Sequence, residues 1–169
     1  YCEQGHVFPI LKGIPRMLPG AIEALPSNIE EHYSDLPEAV ISIIRSALAG
    51  KKEHLDGDTG HIQRSFSSEW EELDTDVRPW GMDLDYRRQW FLESMDIGAD
   101  ELEGRLLLDA GCGYGDVELS LKDSGLEVCA LDLSFSVDIV RKRLDNCEGG
   151  RGLTVHLVQG DAHKAPFRN

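Results

Sequence analysis

Between Arg105 and Asp161 the chain runs through three short apolar segments, and each ends in an acid. Arg105-Leu-Leu-Leu-Asp109 comes first, Glu127 to Leu131 ends at Asp132, and Leu153 to Val158 ends at Gly160-Asp161. Helical patterns separate them, one beginning at Val117 to Leu121 and one over Ser134 to Leu144 with Ser134 as N-cap. Apolar strands that alternate with helices imply a parallel α/β sheet covered by those helices. Right-handed crossovers place the second strand beside the first and the third outside it. Ligands in such sheets bind at the carboxyl ends of the strands, where Asp109, Asp132 and Asp161 all fall.

The glycine loop narrows the ligand. Asp109-Ala110-Gly111-Cys112-Gly113-Tyr114-Gly115 follows the first strand and opens a helix. Glycine lets the backbone turn tightly and approach a ligand with no Cβ in the way. A dinucleotide fingerprint places its third glycine where this chain has Asp116. A carboxylate there takes up the favourable helix N-terminal potential and repels a pyrophosphate. The expected ligand is therefore a zwitterion or cation carrying a ribose, and not a nicotinamide or flavin dinucleotide. Asp132, 21 residues after Gly111, stands where an acid meets ribose hydroxyls in doubly wound folds. Asp161 can accept from an exocyclic amine. Either acid alone reads equally well as a strand-end cap.

Leu106-Leu-Leu-Asp-Ala-Gly-Cys-Gly-Tyr-Gly115 resembles motif I of the class I S-adenosylmethionine-dependent methyltransferases. Ala130-Leu-Asp-Leu-Ser134, Val158-Gln-Gly-Asp-Ala162 and Pro166-Phe167 resemble the segments that follow it. The resemblance implies a Rossmann-like fold with S-adenosylmethionine as cofactor. Its site would be built by Asp109, Ala110, Gly111, Cys112, Gly113, Gly115, Asp132, Leu133, Asp161 and Ala162. On this reading Asp109 and the glycine backbone hold the methionine part, and Asp132 binds the ribose beside Leu133. Asp161 and the Ala162 backbone meet the adenine. The reaction implied is in-line displacement at the sulfonium methyl, favoured by positioning. No general base is assigned: His156 reads as strand core and His163 as a loop residue at the adenine end.

The family's sheet has seven strands, and three are present before Asn169. The fold expected is therefore an incomplete Rossmann-like α/β sheet over residues 104–169, preceded by a mostly helical region. On this reading the chain is a fragment whose first strand shows an apolar edge, leaving it marginal or prone to associate. It opens on Tyr1 rather than Met, so residues upstream are expected.

The region before Gly104 has a different texture. Residues 1–20 carry Pro9, Gly13, Pro15, Pro19 and Gly20 and read as short strands and turns. Cys2-Glu-Gln-Gly-His6 and Gly13-Ile-Pro-Arg-Met-Leu18 resemble the later half of a zinc-ribbon-like segment. With Cys2 and His6 alone it reads as a degenerate structural turn, with no metal expected. Residues 21–103 form the helical and loop region. A helix is expected over Pro37 to Ala49 with Gly50 as its stop, a loop over Lys51 to Gly60, and a helix over Leu84 to Met95 ended by Gly98. Ser65-Phe-Ser-Ser-Glu-Trp70 resembles an aromatic segment that packs over the cofactor. The preferred reading is a tryptophan stripe burying a helix against the sheet.

Composition bounds the acceptor. The 169 residues carry a formal charge of −14, with a dense acidic run from Glu69 to Glu103 opposed by Arg78, Arg87 and Arg88. Nucleic-acid binding relies on basic patches, and none stands out. A small-molecule or metabolite acceptor is expected, with RNA or protein as the alternative acceptor and a non-catalytic nucleotide-binding module as the alternative class. An NAD-dependent oxidoreductase ranks below these. The stretch Ala39 to Gly50 is too short to span a bilayer, no signal peptide is visible, and no membrane partner is expected. Cys2, Cys112, Cys129 and Cys147 have no framework spacing and read as reduced thiols of a cytoplasmic protein, buried at Cys112 and Cys129.

Overall fold

The structure, a computed structural model, describes residues 8–19, 21, 37–49, 57–72, 82–147, 152–165 and 167. Cys2 and His6, and with them any reading of the ribbon-like turn, lie outside these residues, as does Pro166. The described chain forms β1 (Ile10–Leu11), β2 (Ile14–Met17), α1 (Glu38–Ala49), α2 (Gly57–Glu72), α3 (Leu84–Met95), β3 (Leu106–Ala110), α4 (Asp116–Ser120), β4 (Glu127–Asp132), α5 (Ser136–Asp145) and β5 (Thr154–Gly160). Short 3-10 turns follow α3 at Ala99–Glu101 and β5 at Ala162–Lys164. Among the described residues no helix is long and apolar enough to cross a membrane.

The expected strand–helix–strand–helix–strand unit is present as β3-α4-β4-α5-β5. All three strands are parallel, β4 lies beside β3, and β5 lies outside β4. The sheet is a mixed α/β sheet with mostly parallel strands and helices, as the Rossmann-like expectation required. Strand pairing aligns Leu107 with Val128 and Val155, and Ala130 with Leu157. These rows pack with Val137 and Val140 of α5 and Phe91 of α3 into one apolar core. Val137, Val140 and Leu144 repeat at helical spacing, so α5 lays one stripe on the sheet. The opposite rows, Leu106–Glu127–Thr154 and Leu108–Cys129–His156, are open. Leu106 is 73% and Leu108 49% exposed.

The N-terminal segment adds two strands that periodicity did not place in the sheet. Lys12 and Gly13 both take positive φ, 52° and 75°, and form the two-residue turn that right-handed strand twist favours. β1 and β2 thus make an antiparallel hairpin, and β2 continues the sheet by pairing parallel to β5, Arg16 opposite Gln159 and Met17 opposite Gly160. The sheet order is β1-β2-β5-β4-β3, with five strands.

Several local expectations are corrected. Residues 57–60, expected in a loop, open α2. Its apolar residues Ile62, Phe66 and Trp70 stand four apart, a helical signal diluted by the serines and acids between them. Gly98 does not end α3. Asp96 does so at φ 52°, with its N–H donating to Glu93 O and Ile97 N–H returning to Leu92 O at 3.1 Å. Ser134 is not the N-cap of α5, which begins at Ser136 after Phe135 with no side-chain cap. His156 is exposed on the open face, with Nε2 2.9 Å from Glu127 Oε1. Cys129 shares that face and is only half-buried, whereas Cys112 is buried; both are free thiols.

Candidate cofactor site

Three strand ends and two loops build the site. Asp109 is the penultimate residue of β3, Asp132 the last of β4, and Asp161 immediately follows β5. Gly111, Gly113 and Gly115 all have positive φ, of 102°, 51° and 78°, a backbone that side-chain-bearing residues rarely adopt. Gly115 is additionally pressed on α5, because a Cβ there would lie 2.7 Å from Val140 Cγ1. A Cβ on Gly111 would meet no atom of the chain, so that position opens toward the ligand space.

The loop is held by its own amides. Gly111 N–H and Cys112 N–H both donate to Leu131 O, at 2.7 and 3.1 Å, and Gly115 N–H donates to Cys112 O at 2.9 Å. Gly113 N–H donates to Asp132 Oδ2 at 2.9 Å. Asp132 Oδ1 accepts from Ser134 N–H at 2.8 Å and Ser134 Oγ at 2.6 Å. These bonds leave capacity on a carboxylate that accepts about four. The Ser134 oxygen also accepts from Ser136 N–H at 3.3 Å, at the first residue of α5. On the next strand end Asp161 Oδ1 accepts from His163 N–H at 2.9 Å, starting the 3-10 turn.

The space so framed is a cavity of about 280 Å³, near the lower end for small-molecule sites. Ala110, Gly111, Gly113, Asp132, Leu133, Asp161 and Ala162 line it, together with Leu131, Gly160 and His163. Three expected site residues stand behind this lining: Asp109, Cys112 and Gly115. Ile62, Phe66 and Trp70 of α2 form the facing wall. Trp70 packs on the Gly113 backbone and stacks on Tyr114 with ring centroids 5.8 Å apart. Gln63 of the same helix donates to Leu133 O at 3.2 Å, and Ser67 Oγ accepts from Phe135 N–H at 3.2 Å. The aromatic segment therefore buries a helix and walls the cavity at once.

Electrostatics behind the loop are acidic. Glu118 of α4 is fully buried, and burial with the neighbouring Asp109 charge pushes its carboxyl up to about 8. Burial also raises Asp109; the proton on Glu118 works against this, and the Asp132 charge adds to it. The Cys112 thiol is pushed up by burial and by the acids Glu118, Asp132 and Asp109, so it stays protonated. Sequence reasoning missed Glu118, since a glutamate in a short helix reads as a surface residue. Asp116 is not the free anion that the sequence suggested. Arg143 Nη1 lies 2.8 Å from its Oδ1 and Arg87 Nη2 3.9 Å from its Oδ2. Repulsion of a pyrophosphate by Asp116 is thereby offset. The case against a dinucleotide passes to the backbone: the N–H groups of Gly111, Cys112, Gly113 and Gly115 are already bonded within the chain and do not form a free phosphate cradle.

A family model described as a methyltransferase domain matches residues 108–169. These residues, rather more than a third of the chain, are similar to a class I methyltransferase domain. The match begins inside β3 and takes in the glycine loop and the Asp132 and Asp161 strand ends, and with them every lining residue outside α2. The hairpin and the helices α1 to α3 lie outside the matched residues, including the α2 wall of the cavity. No curated protein matches the chain.

Proposed function

We propose that this methyltransferase domain binds S-adenosylmethionine in the cavity under α2 and transfers its methyl group to a small-molecule acceptor. The observation that carries the reading is the pair of strand-end acids, Asp132 and Asp161, on one cavity whose glycine wall has an open Cβ position at Gly111. Asp132 would take the ribose hydroxyls, with Leu133 along the adenine. Asp161 would accept from the adenine amine, and the Ala162 backbone would meet the ring edge. The glycine backbone would lie along the methionine part, with Asp109 behind it. The chemistry that such a cofactor supplies is an electrophilic sulfonium methyl. The carboxyl groups of Asp132 and Asp161 on the cavity, with Asp109 behind it, suit a sulfonium and an ammonium better than an anion. The chain's own part is to hold nucleophile and methyl in line and to exclude water. An apolar wall of Ile62, Phe66 and Trp70, together with the −14 charge, supports a compact organic acceptor over RNA.

Calorimetric titration with S-adenosylhomocysteine tests the cofactor. Saturable binding by the wild type and its loss in Asp132→Ala are expected. A folded protein that does not bind excludes the cofactor reading and leaves the non-catalytic module. Methylation of RNA or protein in preference to small acceptors excludes the acceptor assigned here.

A further inference from the structure

The N-terminal hairpin lies outside the methyltransferase match, yet one of its side chains bonds the residue that holds the loop beside Asp132. Arg16 of β2 is 4% exposed, although arginine is almost never so deeply buried without partners. Its Nη2 lies 2.7 Å from Asp138 Oδ1 of α5, and its Nη1 donates to Gln159 Oε1 at 3.3 Å. Gln159, directly opposite Arg16 in the β2–β5 pairing, is 2% exposed. Its Nε2 donates to Leu133 O and Ser134 O, both at 3.2 Å. Leu133 O also accepts from Gln63 of α2. Ser134 in turn donates twice to Asp132.

An amide side chain can turn either end toward a neighbour. Only one orientation of Gln159 serves this loop, with its two N–H groups on the two carbonyls. The reverse orientation sets its oxygen against both carbonyl oxygens. The guanidinium of Arg16 accepts nothing and can face only the amide oxygen, so its presence selects the serving orientation.

We propose that Arg16 is a positioning residue of the cofactor site, acting through Gln159 to hold the Leu133–Ser134 backbone and with it Asp132. The inference rests on the cavity taking S-adenosylmethionine. It makes the hairpin a working part of the site rather than an appendage. It also locates the effect at the adenine and ribose end, away from the methionine end.

The test is calorimetry on the full-length protein with S-adenosylhomocysteine and with adenosine, at a temperature where every variant is folded by circular dichroism. Arg16→Lys keeps a cation near Asp138 and shortens the reach to Gln159. It should weaken both ligands by about tenfold, in equal ratio, as expected when a binding group is displaced. Gln159→Leu should do the same, and Arg16→Lys in the Gln159→Leu background should add no further loss of affinity while still lowering Tm. A purely structural role would lower Tm and leave affinity unchanged. Gln159→Glu keeps a partner for Arg16 but turns an oxygen on the two carbonyls, and should weaken binding even where Arg16→Lys does not fold. Unchanged affinity in Gln159→Glu or in folded Arg16→Lys overturns the proposal, as do additive losses in the double variant. A folded wild type that binds neither ligand removes the cofactor reading and this inference together. Wild-type binding with unaffected variants removes this inference alone.

Discussion

Gly113 and Asp132 are joined across the mouth of the sheet by a 2.9 Å hydrogen bond, backbone N–H to Oδ2. The same carboxylate accepts from the Ser134 amide and hydroxyl, so one side chain pins the end of β4 to the loop after β3 and to its own following turn. Asp132→Ala should therefore cost stability with no ligand present. About 1–3 kcal/mol is expected for leaving buried donors unpaired. Urea unfolding of the free protein measures it; an unchanged midpoint would mean that the loop anchors itself without Asp132.

Gly111 and Gly115 should respond differently to the same substitution. At Gly115, φ is 78° and an added Cβ meets Val140 Cγ1 at 2.7 Å. Gly115→Ala combines left-handed strain with overpacking and should cost about 2–4 kcal/mol. Val140→Ala should recover the steric part alone. Gly111, with φ 102°, has no atom within 4 Å of its Cβ position. Gly111→Ala should cost less stability than Gly115→Ala and more affinity for S-adenosylhomocysteine. Equal stability losses at the two positions would contradict the packing described.

Glu118 predicts a pH dependence of stability. Its carboxyl moves from an ordinary value of 4.5 to about 8 in the folded state. Between those values the folded protein holds a proton that the unfolded chain has released. Stability therefore falls as pH rises through this window, by up to about 1 kcal/mol per pH unit, and levels off above it. Asp109, raised in the same direction, adds to the fall from a lower starting pH. Glu118→Gln should be the more stable form above pH 8, with the gap closing toward pH 5. Urea midpoints at pH 5, 6.5 and 8.5 decide this, and parallel slopes for wild type and variant would refute it.

The open sheet face predicts association. Leu106 and Leu108 lie on β3, an edge strand of the sheet among the described residues, at 73% and 49% exposure. Leu106→Thr with Leu108→Thr keeps β-propensity and removes apolar surface. Folding free energy should change by less than about 0.5 kcal/mol per site. Sedimentation velocity at rising concentration should show less self-association than the wild type. A wild type that stays monomeric throughout would show that these two leucines do not drive contact.

What could be read from the residues alone was whatever depends on local chemistry. Three apolar runs dictate three strands because each buries a row of side chains in the sheet. Gly111, Gly113 and Gly115 were legible because positive φ at three nearby positions admits little else. Asp132 and Asp161 were legible because a strand's end is visible in its own residues. Failures began where a residue's state depends on partners far along the chain. Gly98 lost the stop of α3 to Asp96, which the Leu92–Ile97 bond holds in a left-handed turn. His156 looked like core because its strand is apolar, but its row of the sheet, with Leu108 and Cys129, is left open among the described residues. α2 showed its spacing at Ile62, Phe66 and Trp70, yet nothing in that spacing says that it walls the cavity.

From Gly104 onward the sequence by itself determined the order of strands and helices, the glycine loop and the acids at the strand ends, because these follow from side-chain size, polarity and permitted backbone angles within a few residues. Only the tertiary structure decided that β2 extends the sheet, that Arg16 meets Gln159 143 positions away, that Asp116 is ion-paired and that Glu118 is sealed from water. Burial and pairing are properties of what the folded chain brings alongside. A buried cation or carboxyl takes its charge state and its role from those neighbours.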